Sequence, residues 1–212
     1  MSKSKLTMFI TGGVSILSIF LVFYIFPKND NEYIVSSHIK DNCEYERMSA
    51  DVFYLDTLED LESVSSLIIE ANIRGNSKSV NFENNEKESN HLLNNPYAGF
   101  TSTEIKISKI FKDLEKKVNI GDVIEIMEPM YPIEIDNNMK LLTFEDYERL
   151  KSGNNYILFL SWNANQELYE IIALNQGKYN IESILTNDQI SSHDVDYYYF
   201  AEEVKDRFIN ND

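Results

Sequence analysis

The chain has 212 residues, with 19 basic and 35 acidic side chains and a formal net charge of −16 at pH 7. A surface of this sign repels phosphate backbones, which argues against nucleic acid as a partner. A single cysteine, Cys43, excludes a disulfide within one chain, and it remains open whether it is a free thiol or links two chains. The length suits one domain of ordinary size with its own core.

The first predicted element is a membrane-spanning helix over residues 6–26, preceded by a short cytoplasmic region, residues 1–5. The run from Leu6 to Phe26 contains no charged residue, and as a helix it would span about 30 Å, the thickness of the bilayer hydrocarbon. A cleaved signal peptide is the alternative, but its apolar region is shorter and ends in small residues, whereas this run ends in bulky residues before Pro27. We therefore predict an uncleaved signal anchor that contacts the membrane directly.

The charges that flank the span predict its orientation. Lys3 and Lys5 precede it without a neighbouring acid, and the residues that follow it are mixed in sign. Because positive residues stay on the cytoplasmic side, we expect the N-terminus inside and the C-terminal domain outside the cell. Gly12 and Gly13 would also allow a weak self-association of two spans. The predicted location is the cell membrane, crossed once.

Composition divides the rest of the chain into a polar juxtamembrane stalk, residues 27–50, and an extracytoplasmic domain, residues 51–212. Thr57 and Asp60 have the spacing of a capping box and predict a short helix over residues 58–65. The polar run over residues 76–98 predicts an exposed, flexible loop.

Alternation of apolar and polar residues, or short apolar runs between turn residues, predicts the strands. The run over residues 156–162 is the most apolar one after the predicted span and indicates a central strand. Residues 194–209 are predicted to form a C-terminal helix, since Phe200, Val204 and Phe208 lie on one face. The predicted strands cover residues 67–74, 100–111, 123–127, 140–144, 156–162, 168–174 and 179–184.

This order of elements predicts a transmembrane helix followed by an α+β or mainly β domain. The connections are mostly short, which suits strands that pair with their neighbours along the chain. A small, partly open barrel of the OB type is the preferred architecture. A twisted antiparallel sheet with one covering C-terminal helix is the alternative.

Three segments within residues 100–180 resemble a known group of proteins: TSTEIKISKIFKDLEKKVNIGDVIEIMEP, LKSGNNYILFL and ALNQGKY. Their order and turns are similar to those of uncharacterised extracytoplasmic proteins of Gram-positive bacteria, which are membrane-anchored or of the lipoprotein type. Lys112-Asp113 stands where that pattern has Lys-Gly. The strand order also resembles, more weakly, the netrin and tissue-inhibitor OB barrels, whose disulfides this chain cannot form. The resemblance implies a fold and a location, and it assigns no functional residue.

No catalytic, cofactor-binding or metal-binding residue is assigned from the sequence. His38, His91 and His193 lack the spacing of zinc ligands, and motifs for nucleotide binding or nucleophilic catalysis are absent. The clusters of acidic residues do not have the spacing of a calcium loop, so we interpret them as solvated faces.

The predicted function is non-enzymatic binding at the cell surface, with a protein or another envelope component as partner and no cofactor. A carboxylate-using envelope hydrolase is one alternative. It would need two acids that meet in a pocket, for example Glu125 or Glu128 with Glu167 or Glu170. A cation-responsive surface domain is the other alternative, and the strong acidity is its only support.

Overall fold

The computed structural model describes residues 44–49, 54–81, 99–135, 138–186 and 195–210. The predicted cytoplasmic region 1–5 and the predicted span 6–26 lie outside these ranges, as do Cys43 and all three histidines. Within the described ranges, no helix has both the length and the apolar character needed to cross a bilayer.

The described part of the chain is built mainly of strands, and its helices are short. The elements are, in chain order, β1 Glu44–Met48, α1 Leu58–Val64, β2 Leu67–Asn81, β3 Gly99–Asp113, β4 Val123–Glu128, β5 Met130–Ile135, β6 Asn138–Phe144, β7 Asn155–Asn163, β8 Leu168–Ile171, a 3₁₀ helix Leu174–Gly177, β9 Lys178–Asn180, α2 Ile181–Thr186 and α3 Val195–Phe208.

Five strands close into a ring. β2 pairs with β3, β3 with β4, β4 with β8 and β8 with β7, and β7 returns to pair with β2. All these pairs are antiparallel except β4 and β8, which are parallel. β9 also pairs with β7, on the edge opposite β2. The mainly β prediction is confirmed, and so is the central position of β7, which forms a hairpin with β8.

The inner face of the ring holds one hydrophobic core. Side chains alternate between the two faces of a strand, so every second residue points inward. On β2 the inward residues include Ile69, Ala71 and Ile73, which are buried while their neighbours Glu70 and Asn72 are not fully covered. Ring strands β3, β4, β7 and β8 contribute their alternate residues to the same core.

A second hydrophobic core lies on the outer face of the ring, where helices cover β7. Ile157 and Phe159 point outward from β7 and pack with residues of α1, α2 and α3. Phe200, Val204 and Phe208 of α3 belong to this core, which confirms the predicted packing face of the C-terminal helix. Burial on both faces explains why residues 156–160 of β7 are all apolar.

A smaller sheet has the strand order β1–β6–β5. Its first strand lies within the stretch predicted as a stalk, residues 27–50. β1 pairs in parallel with β6, and Lys140 Nζ lies 3.0 Å from a carboxylate oxygen of Glu46 across this pair. Composition around β1 is polar, so only a partner about 95 residues away along the chain makes it a strand.

The predicted loop over residues 76–98 begins later than expected. β2 continues to Asn81 and pairs with β3 as far as Gly99. Polar cross-strand contacts explain this extension: the hydroxyls of Ser77 and Thr103 lie 3.0 Å apart, and Asn76 donates to Glu104. Residues 82–98 lie outside the described ranges.

The predicted strand over residues 179–184 is mostly helical. β9 ends at Asn180, whose side-chain oxygen accepts a hydrogen bond from the Ser183 backbone N–H at 3.1 Å and so starts α2. The strand predicted over residues 168–174 also ends early, at Ile171. Ala173 and Leu174 have φ values of 48° and 54°, a left-handed conformation that no strand can contain.

Candidate functional site

A cleft of about 610 Å³ lies on the outer face of the ring, beside the part that the helices cover. Four strands supply its floor, with Phe100 from β3, Met127 from β4, Glu170 from β8 and Ser161 from β7. The register places Glu170 directly between Met127 and Ser161. This volume is in the usual range for sites that bind small molecules or short segments of a partner.

The walls of the cleft are apolar and come from segments outside the ring. Leu55 precedes α1 and Val64 ends it, while Phe144 ends β6. The Leu55 backbone is clamped by the buried side chain of Gln176, whose oxygen accepts from the Leu55 N–H at 2.9 Å and whose amide donates to the Leu55 carbonyl at 3.2 Å. Val64 is half exposed although it lies at a core-facing helical spacing. The cleft therefore presents apolar surface that the described part of the chain leaves open.

The charged group on the floor is the Glu170 carboxylate. Ser161 donates to one of its oxygens at 3.2 Å, and the Asn163 amide donates to the other at 3.0 Å. Among the residues that the structure describes, no lysine or arginine lies within ion-pair distance of it. Two neutral donors thus fix the orientation of this carboxylate and leave its negative charge unneutralised.

Glu125 lies on the same outer face, one position before the inward-facing Ile126. Unlike Glu170, it forms an ion pair. Lys78 Nζ contacts one carboxylate oxygen at 2.7 Å, and the Ser102 hydroxyl donates to the other. These hydrogen bonds, with that from Lys78 the stronger, lower the pKa of Glu125. The surface next to the cleft is therefore an ion-paired polar face.

Glu128 belongs to the inner face and is completely buried. Its carboxylate accepts hydrogen bonds from the Thr103 hydroxyl, from the Tyr147 hydroxyl at 2.9 Å and from the Leu150 N–H at 2.9 Å. Burial, and then the negative charge of Glu128, raise the pKa of Tyr147 well above its usual value. Glu128 also lines the cleft, but its carboxylate is bonded to these three donors and is not exposed.

Lys178 lies beside this buried carboxylate. Its ammonium donates to the Glu148 carbonyl and sits 4.5 Å from the centre of the Tyr147 ring. Burial lowers the pKa of Lys178 to about 8, against the opposing effect of Glu128. Lys178 and Glu128 form a buried polar centre. The hydrogen bond from Lys178 to the Glu148 carbonyl joins β9 to the segment after β6.

The carboxylates considered for a hydrolase do not converge. Glu128 and Glu170 both line the cleft, but the Glu128 carboxylate is buried among donors of the inner core, whereas the Glu170 carboxylate is bonded to side chains of β7. Glu125 is bound by groups on β2 and β3, whereas Glu170 is bound by groups on β7, so their oxygens are directed to opposite sides. Glu167 is exposed in the β7–β8 turn. Within the described ranges, no cluster of histidine, cysteine, aspartate or glutamate could hold a metal ion.

The acidic cluster around α1 also has a structural explanation. Arg207 of α3 donates to the carboxylates of Glu59 and Glu62. The pKa of Glu59 is lowered, mainly by the hydrogen bond from Arg207 and next by a hydrogen bond from the Glu59 backbone. The cluster joins α1 to α3 at the surface and is not part of the cleft.

Sequence reasoning named Glu128 and Glu170 as candidate acids of a pocket, and both line the cleft, but it did not identify the other lining residues. Phe100, Met127, Ser161 and Glu170 come from four strands spread over 71 positions of the chain, so they form no local motif. The one available signal was the outward position of Glu170 in the alternating segment 168–171. Any solvent-exposed polar residue of a strand gives the same pattern, so this signal does not distinguish a binding residue.

Comparisons with known proteins give no relative. No family model matches the sequence, and no curated protein or solved structure is significantly similar to it.

Proposed function

We propose that this chain is a single-pass, membrane-anchored extracytoplasmic binding module that receives an apolar segment of a partner protein in the outer-face cleft. The observation that carries this proposal is the cleft itself, about 610 Å³ in volume, with apolar walls that no described part of the chain covers. A cleft of this volume with a mainly apolar lining is typical of a binding site.

We assign the ring to the OB type of barrel. Its support is the closure of five strands through one parallel pair, β4 with β8, in an otherwise antiparallel sheet. OB barrels bind ligands across their second and third strands, between the loops that join strands one to two and four to five. In this ring those strands are β3 and β4, and the β7–β8 turn is the second of those loops. Phe100 of β3 and Met127 of β4 line the cleft, whereas no residue of the β7–β8 turn does.

The lining favours a peptide over the nucleic acids and glycans that other OB barrels bind. Recognition of bases or sugars by stacking needs exposed aromatic faces. Phe100 is only 4 % exposed, and Trp162 points to the inner core. The negative charge of the chain also repels phosphate groups. Phe144 is the one partly exposed aromatic residue among those that line the cleft, so its mainly apolar walls suit a short apolar protein segment better than a stack of bases or sugars.

The membrane location rests on the sequence. The uncharged run over residues 6–26 is long enough to cross a bilayer, and Lys3 and Lys5 favour a cytoplasmic N-terminus. Residues 28–212 then carry 17 basic and 35 acidic side chains outside the cell, a net charge of −18. The anchor would hold the domain outside the cell, where a partner in the envelope can reach it.

The test uses the full chain in neutral-lipid nanodiscs and a displayed library of random dodecapeptides. Peptides enriched on the wild type are synthesised, and their affinities are measured by fluorescence anisotropy. Ser161→Trp, which fills the floor of the cleft, should weaken binding by at least about tenfold, since the apolar contacts are lost. Asn165→Trp, on the exposed β7–β8 turn, is the matched control and should bind as the wild type does. Failure to enrich any peptide, or unchanged binding by Ser161→Trp, would refute the proposal.

A further inference from the structure

We propose that Glu170 selects a basic residue in the bound peptide, so that the partner segment carries a lysine or arginine between apolar residues. This inference rests on the proposed function, because it names the chemistry of the ligand for the same cleft. The carboxylate lies on the floor, and the apolar residues that surround it, such as Met127 and Val64, would contact the neighbours of the basic residue.

The hydrogen bonds of Glu170 leave room for a cationic donor. An ionised carboxylate has about four acceptor positions, two on each oxygen. Ser161 and Asn163 each take one position, on different oxygens, at 3.2 and 3.0 Å. One acceptor position therefore remains on each oxygen. A guanidinium can use both at once, and an ammonium can use either.

The charges around the cleft single out this carboxylate. Glu125 is paired with Lys78 at 2.7 Å, and Glu128 is occupied by three donors inside the ring. Glu170 is bound only by neutral groups of the described chain. A cation that enters the cleft thus finds one carboxylate with open acceptor positions, in a fixed orientation and on a floor that its neighbours partly shield from water.

The surroundings strengthen such a pair. Apolar walls lower the effective dielectric constant, so an ion pair in the cleft is stronger than one on an open surface. The net charge of −16 also attracts a basic segment from a distance and repels an acidic one. Both effects act in the same direction and favour a partner of positive charge.

The experiment compares displayed-peptide selections on full-length wild type, Glu170→Gln and Glu167→Gln in neutral-lipid nanodiscs. We expect lysine and arginine to be enriched between apolar residues on the wild type and on Glu167→Gln, whose side chain is exposed outside the cleft. On Glu170→Gln the apolar residues should remain enriched while the basic residue is lost. Retained selection of apolar peptides also shows that this variant is folded.

A double-mutant cycle completes the test. The best peptide should bind Glu170→Gln at least about tenfold more weakly than the wild type. Its Lys→Gln counterpart should bind both proteins equally. If apolar peptides are enriched on the wild type without any basic residue, this inference fails and the proposed function stands. If no peptide is enriched on any of the proteins, the proposed function itself fails.

Discussion

Lys178 places an ammonium group inside the protein, where it has lost its hydration. Burial lowers the pKa of this group from 10.5 to about 8. Below pH 8 the folded and unfolded chains both hold the proton, and the folded chain bears the full cost of the buried charge. Between pH 8 and 10.5 the unfolded chain binds more protons, so the free energy of unfolding rises with pH.

The corresponding prediction concerns chemical unfolding of the full chain, followed by the fluorescence of Trp162, its only tryptophan. The free energy of unfolding should increase from pH 7.5 to pH 10 in the wild type. Lys178→Met keeps an unbranched side chain without a charge. The free energy of unfolding of this variant should be nearly independent of pH over the same interval. An equal rise in both proteins would show that another group is responsible.

Tyr147 sets the upper limit of that interval. The pKa of its hydroxyl is raised by burial and by Glu128, so above pH 10 the unfolded chain loses this proton first and stability falls. Tyr147→Phe should reduce the fall. At neutral pH the same variant removes the donor at 2.9 Å from Glu128 and should cost about 1–3 kcal/mol in unfolding experiments. A variant as stable as the wild type would contradict the role given to this buried network.

Among the elements, α1 shows how a local signal supports the cleft. The helix is short, with Thr57 as its N-cap, and it packs Leu58 and Leu61 on the outer core. Its last residue, Val64, then reaches the cleft wall. Loss of the cap would loosen both the core contact and that wall.

Substitution of the cap residue tests this link. The Thr57 hydroxyl accepts a hydrogen bond from the Asp60 N–H at 3.1 Å. Thr57→Ala should lower the free energy of unfolding by about 1 kcal/mol, because this N–H then has no partner in the helix. Thr57→Ser retains the hydroxyl and serves as the control. Equal losses in the two variants, measured by urea unfolding, would indicate that the side-chain methyl matters and the cap does not.

At the scale of the whole molecule, the prediction concerns topology. With residues 6–26 in the bilayer and the N-terminus inside, a C-terminal tag should be digested when protease is added to intact cells. An N-terminal tag should survive on a small fragment and disappear only after the membrane is permeabilised. Immunoblots of both tags provide the measurement. A C-terminal tag that survives in intact cells, or a mature chain that begins after Pro27, would refute the anchor.

The sequence by itself determined the features that depend on neighbours within a few residues. The alternation at residues 67–74 predicted part of β2, and the mostly apolar run at 156–162 predicted the central strand β7. Thr57 with Asp60 predicted the start of α1, and the spacing of Phe200, Val204 and Phe208 predicted the face of α3. These signals are local because backbone periodicity and capping act over one or two turns or a few strand positions.

Only the tertiary structure decided which strands meet. β1 became a strand through a partner far along the chain, and the parallel contact of β4 with β8 brought Met127 beside Glu170. A shift of one residue in that register would turn Glu170 into the core, so no composition or motif specifies its place. The cleft and its unneutralised carboxylate therefore arise from long-range pairing, whose energy depends on contacts that the linear order of residues does not reveal.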